Sequence, residues 1–120
     1  DLPAAWNDGM RNLLGITPPT DREGCMQDIH WYDGAWGYFP TYTLGAMTAA
    51  QIFKAACDQN ENIMIDIRKG IFEPLRAWLT KNIYQKGRLL PASKLLKEGT
   101  GEILNSSIFI SHLKSRYLNE

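Results

Sequence analysis

Apolar side chains recur along this chain at helical spacing, and glycine or proline closes nearly every run. Trp6, Met10, Leu13 and Leu14 fall at i, i+4, i+7 and i+8, one face of a first helix. Asp1 can cap that helix, Pro3 suits its first turn, and Gly15 supplies a stop. Ile16 to Glu23, with Pro18-Pro19, reads as a loop. A longer helix is expected from near Thr41 to about Asp58. Its small residues Ala46, Ala49, Ala50, Ala55 and Ala56 allow another backbone to approach, and Gln59 to Asn62 is a polar break. Ile63, Ile67 and Ile71 suggest a further stripe, and Pro74 either opens a new helix or kinks this one. Leu75, Trp78, Leu79 and Ile83 carry the period to Tyr84, and Gly87 ends it. Pro91 to Glu98 reads as a short helix stopped by Gly99 and Gly101. Asn105 can cap a last helix in which Phe109, Leu113 and Tyr117 share a face. The chain contains no valine and no alternating strand pattern, so the expected fold class is all-α. The one place left for a short hairpin is an aromatic loop in the first half.

The 120 residues fit one domain with one modest core. Thirteen basic residues balance thirteen acidic ones, with the signs interspersed. That balance points to neither nucleic acid nor an anionic membrane. No apolar run approaches the ~18 residues a membrane span needs. Two cysteines, Cys25 and Cys57, make no disulfide framework and read as reduced thiols, which fits a cytoplasmic protein. The chain starts at Asp1 without a methionine, so it is expected to be cut from something longer, or processed.

Chemistry is concentrated between about residues 24 and 45. That stretch holds His30, Tyr32, Tyr38, Tyr42, Trp31 and Trp36, with glycines at 24, 34, 37 and 45. A Gly-rich aromatic loop opening onto a helix builds a core poorly and a site well. His30 can donate and accept, or donate twice when charged. Its bland alternative is a structural histidine bonded to backbone or to Asp28. Tyr38 and Tyr42 are four apart, so on one helix they would share a face. A preorganised phenol can stabilise an oxyanion; the bland alternative is aromatic packing. His112, among Lys114 and Arg116, reads as a solvated surface residue.

Other chemistries find little support. A catalytic zinc needs three protein ligands, typically with two histidines one helical turn apart. Here the two histidines are far apart in sequence and no His-Glu-x-x-His occurs, so no metal site is expected from this chain itself. No serine sits in a Gly-x-Ser-x-Gly turn, and Cys25 five residues before His30 is not a dyad by spacing alone. Residues 31–42 contain no lysine or arginine, which argues against base stacking on a basic surface.

Gly24-Cys25-Met26-Gln27-Asp28-Ile29-His30-Trp31 resembles the Gly-x-x-Gln-Asp-x-His-Trp motif of the carboxypeptidase Taq family, zinc metallocarboxypeptidases. Agreement continues in order: Trp6 to Met10, Leu14 to Ile16, the turn Gly37 to Gly45, the run 49–53, Gly87-Arg88, and Thr100-Gly101-Glu102 with Leu104-Asn105. Tyr32 and Trp36 stand where small residues are expected, which alters the lining of the loop.

The resemblance implies the C-terminal helical segment of a larger, mostly helical zincin-type metallopeptidase, usually a homodimer, that removes C-terminal residues from peptides. Its zinc ligands and catalytic glutamate would lie upstream, so this chain alone is expected to be inactive. It would form a single helical domain over 1–120, with an active-site loop at about 24–45 and terminal helices at about 63–120. The similar thimet oligopeptidase type places a histidine and a tyrosine twelve residues apart on a Gly-rich loop, the separation of His30 and Tyr42. By that analogy Tyr42 donates to the oxyanion, and His30 binds substrate backbone or the same oxygen. Tyr38 is a second substrate-facing candidate, and Gln27, Asp28 and Trp31 orient the loop. The competing expectation is a non-catalytic helical interaction or dimerisation module using the alanine-rich helix.

Overall fold

The computed structural model describes residues 1–118. Among them are seven α-helices and no strand: α1 Leu2–Leu14, α2 Ile29–Tyr32, α3 Pro40–Gln59, α4 Ile63–Arg68, α5 Glu73–Asn82, α6 Ala92–Thr100 and α7 Ser106–Tyr117. The all-α expectation holds, and the aromatic loop contains no hairpin. Two compact units form, one from Asp1 to Pro40 and one from Thr41 onward.

Backbone chemistry sets the helix ends. Gly15 turns left-handed at φ 71° and returns its N–H to Arg11 O, closing α1. Asp1 stands at the N-cap of α1 without a side-chain bond, so its expected capping role is not realised. Residues 63 to 71 are not one helix. Gly70, at φ 76°, donates to Ile67 O, and Ile71 donates to Asp66 O, the paired bonds of a Schellman stop. Pro74 then lies in the first turn of α5, where its missing N–H costs nothing. Gly99 lies inside α6 rather than after it, and Gly101 ends the helix at φ 89°. A Cβ on Gly99 would come within 2.7 Å of Ile83 Cδ1, so glycine here admits the chain at residues 82–83 against α6.

The core of the second unit is small. Ala55, Ala56, Ile63 and Leu96 are its buried apolar residues, and Gln51 is buried among them. Gln51 Nε2 donates to Thr100 Oγ1 at 3.0 Å and to the carbonyls of Glu102 and Ile103 at 3.2 and 3.0 Å. Its Oε1 accepts from the Asn105 N–H at 2.9 Å. The amide thereby ties α3 to the turn between α6 and α7. Asn105 caps α7 through its side chain, which accepts from the Ser107 N–H. The Trp78 indole donates to Gln59 Oε1 at 2.8 Å, linking α5 to the end of α3.

A buried amide with both ends satisfied stabilises because its alternatives are unsatisfied groups. Gln51→Leu should therefore lower the unfolding free energy by about 2 kcal/mol. Urea unfolding followed by tryptophan fluorescence checks this; a change too small to move the midpoint would contradict it.

Candidate functional site

The first unit builds the site from a turn, a short helix and a return. Thr20 caps the 3-10 turn Asp21–Glu23 by accepting from the Glu23 N–H. Gly24 comes next in a crowded place: a Cβ there would lie 3.1 Å from Pro18 Cβ and 3.3 Å from Thr20 O, so a larger residue would press its neighbours apart. The chain stays tightly wound, with Met26 N–H donating to Asp21 O and Gln27 N–H to Gly24 O. Helical geometry begins at Ile29. Cys25 is buried at 4% exposure, which keeps its thiol from an outside substrate. Burial and the neighbouring Asp58 push the Cys57 thiol up. Neither cysteine meets the requirement of an accessible, activated thiolate.

Asp28 is the organising residue. It caps α2, accepting from the His30 backbone N–H at 2.9 Å through Oδ1. The same oxygen lies 2.7 Å from His30 Nδ1, and Oδ2 accepts from the Trp31 indole at 2.8 Å. Burial raises its pKa, but these hydrogen bonds outweigh burial and hold the carboxyl below its ordinary range.

Aromatic rings then enclose His30. Ala35 N–H donates to His30 O at 2.8 Å, folding the chain back. Gly34 and Gly37 supply the left-handed turns, at φ 71° and 74°. The return lays Tyr38 nearly parallel to the imidazole, with centroids 5.4 Å apart, and presents Phe39 edge-on at 4.9 Å. Trp31 packs on Trp36 at 5.0 Å and edge-on to Trp6 at 5.9 Å. The result is a cavity of about 190 Å³ lined by Asp28, His30, Trp31, Trp36, Tyr38 and Phe39, among others. His30 keeps 25% of its side chain exposed, Asp28 only 9%.

The expected residues divide between the units. Gln27, Asp28, His30, Trp31 and Tyr38 gather in the first. Gln27 contributes its backbone N–H, while Asp28 and Trp31 fix the loop through side chains. Tyr42 stands exposed in the first turn of α3, in the second unit. The helix starts at Pro40, so Tyr38 precedes it and the two phenols do not share a helical face. Phe39 and the Trp31–Trp36 pair were not singled out from the sequence as neighbours of His30; the Asp-x-His-Trp spacing at a helix start was the available signal. Tyr32, expected to alter the lining, instead donates its hydroxyl to Met26 O at 3.2 Å.

Among the described residues, no three His, Cys, Asp or Glu side chains converge to hold a metal ion. No described helix is long and apolar enough to cross a membrane.

A family model described as Carboxypeptidase Taq (M32) metallopeptidase matches residues 1–117. Thermostable carboxypeptidase 1 of Pyrococcus furiosus is 41% identical over 118 residues, covering 98% of this chain and 24% of that protein. Carboxypeptidase 1 of Bacillus subtilis is 40% identical over 119 residues, covering 99% of this chain and 24% of its own length. Among solved structures, Trypanosoma cruzi metallocarboxypeptidase 1 superposes with a TM-score of 0.91 at 41% identity, over 98% of this chain and 25% of that one. The M32 carboxypeptidase of Deinococcus radiodurans gives a TM-score of 0.94 at 33% identity, over 99% of this chain and 24% of that one. The chain thus spans about a quarter of the length of the relatives it matches.

The depressed pKa of Asp28 carries a sign. Its stabilisation is present above the ordinary carboxyl value and is lost as pH falls through the lowered folded-state value. The melting temperature of Asp28→Asn should lie below that of the parent chain at neutral pH, and the gap should close below about pH 4. A gap independent of pH would contradict the ionised-acceptor role.

Proposed function

This chain belongs to the carboxypeptidase Taq (M32) metallopeptidase family, and we propose that it is the C-terminal part of such an enzyme, forming one wall of the peptide-binding cleft. The observation that carries the reading is the cavity around His30. An imidazole is fixed by a carboxylate, stacked on one aromatic ring, met edge-on by another and left partly exposed. Such a group is preorganised to meet a polar atom without reorganising.

His30 would contact the carbonyl oxygen or backbone of the scissile residue. Tyr42, from the first turn of α3, would donate its phenol hydroxyl to the oxyanion that develops as water adds. Tyr38 would line the substrate path beside the imidazole. Gln27, Asp28 and Trp31 hold the loop. The described residues do not fit a metal on their own. The zinc or other divalent ion of a metallopeptidase would be held by the rest of the polypeptide, and the substrates would be peptides with a free C-terminus.

A second reading has its own observation. Leu13, Leu14 and Leu89 are 84%, 64% and 85% exposed, with Tyr42, Trp36 and Tyr117 also more than half exposed. Where such residues join into a contiguous patch they mark contact with other protein. Within the enzyme reading it packs against the remaining polypeptide or a second subunit. As a separate activity it would make the chain an interaction module.

In the complete enzyme, Tyr42→Phe and His30→Gln should each lower kcat by about 10²-fold or more, the effect of losing an oxyanion donor. A kcat within about threefold of the parent enzyme would remove the residue from that role. The 120-residue chain alone, supplied with zinc and a blocked peptide bearing a free C-terminus, should release no terminal residue; turnover would refute the shared-site reading.

A further inference from the structure

The Asp28–His30 contact limits what His30 can offer an oxygen atom. We propose that Asp28 keeps a proton on His30 Nδ1 in both charge states of the ring, so that Nε2 donates a hydrogen bond only while His30 is charged. The consequence for catalysis rests on the reading above, that His30 meets a substrate oxygen.

An ionised carboxylate can only accept. Oδ1 of Asp28 lies 2.7 Å from Nδ1, a distance at which the hydrogen must sit on the nitrogen, because two lone pairs that close repel. The carboxylate cannot turn away cheaply. The His30 backbone N–H holds Oδ1 at 2.9 Å and the Trp31 indole holds Oδ2 at 2.8 Å. The ring cannot turn cheaply either, with Tyr38 stacked on it and Phe39 against it. Asp28 bonds the imidazole and Tyr38 stacks on it, so both titratable side chains bear on its charge.

With Nδ1 occupied, the two charge states of the ring differ only at Nε2. The charged ring donates from Nε2 and favours a carbonyl oxygen or oxyanion. The neutral ring turns a lone pair toward the same oxygen and disfavours it. The contribution of His30 is therefore present while the ring carries both protons and is lost when it carries one. An unconstrained histidine would not be so limited, because its neutral form can carry the proton on either nitrogen. Asp28→Asn removes the charge that holds the proton on Nδ1 and turns an NH2 toward either the His30 backbone N–H or the Trp31 indole, which loosens the anchor and lets the proton move to Nε2.

The test is the position of the proton. In the chain carrying His112→Gln, only one imidazole remains, and 15N-histidine labelling with long-range 1H–15N spectra reports both of its nitrogens. At the alkaline end of a titration over about pH 5–9, Nδ1 should keep the shift of a protonated nitrogen and Nε2 should show that of a bare one. Asp28→Asn should move Nε2 toward the protonated shift. A neutral wild-type ring with its proton on Nε2 overturns the proposal. Should Asp28→Asn not fold, the wild-type spectrum decides alone. In the complete peptidase, kcat/KM should fall on the alkaline side as His30 deprotonates, and this loss should shrink in Asp28→Asn. Identical profiles, with the proton confirmed on Nδ1, would overturn instead the placement of His30 at the substrate.

Discussion

The carboxylate of Asp28 accepts from the His30 backbone and the Trp31 indole while one of its oxygens faces the His30 ring. It caps a helix of four residues, too short to persist by its own hydrogen bonds. The side chain does what helix length cannot: it fixes the direction of α2, and with it the His30 and Trp31 rings that line the cavity. Remove the carboxylate and the backbone at His30, the tilt of Trp31 and the tautomer of the imidazole all lose the same anchor. The aromatic return from Gly34 to Phe39 then has no fixed surface to close upon.

The second unit shows a parallel solution on a larger scale. Few of its residues are buried, and its alanine-rich helix α3 offers little apolar bulk. Gln51 compensates by linking α3 to the turn between α6 and α7 through four hydrogen bonds. In both units a polar side chain, rather than a dense core, sets the geometry. Sparse burial and exposed apolar residues also fit a segment that completes its packing within a larger enzyme.

Helix positions were legible where the signal is local. Gly15, Gly101 and Asn105 mark their boundaries because each carries a backbone or capping requirement. The stripe Ile63, Ile67, Ile71 misled because the apolar period continues past Gly70, whose left-handed turn interrupts the helix whatever side chain stands at position 71. Gly99 looked like a stop and is a close-approach residue, a distinction that depends on Ile83, distant in sequence. The site was legible in composition and in the motif, but not in its contacts. Nothing local indicates that Tyr38 stacks on His30 or that Pro40, rather than Thr41, opens α3 and leaves Tyr38 outside it.

Taken with membership of the M32 family, the geometry supports the proposed division of labour. In the proposed reading the first unit would supply an oriented imidazole and the first turn of α3 a phenol. The metal and its ligands would come from the rest of the polypeptide. The most direct measurement is a crystal structure of the complete enzyme with a phosphinate peptide that mimics the tetrahedral intermediate. His30 Nε2 and Tyr42 Oη should each lie within about 2.6–3.2 Å of a ligand oxygen. A bound ligand that neither side chain reaches, with His30 sealed behind other protein, would contradict this division.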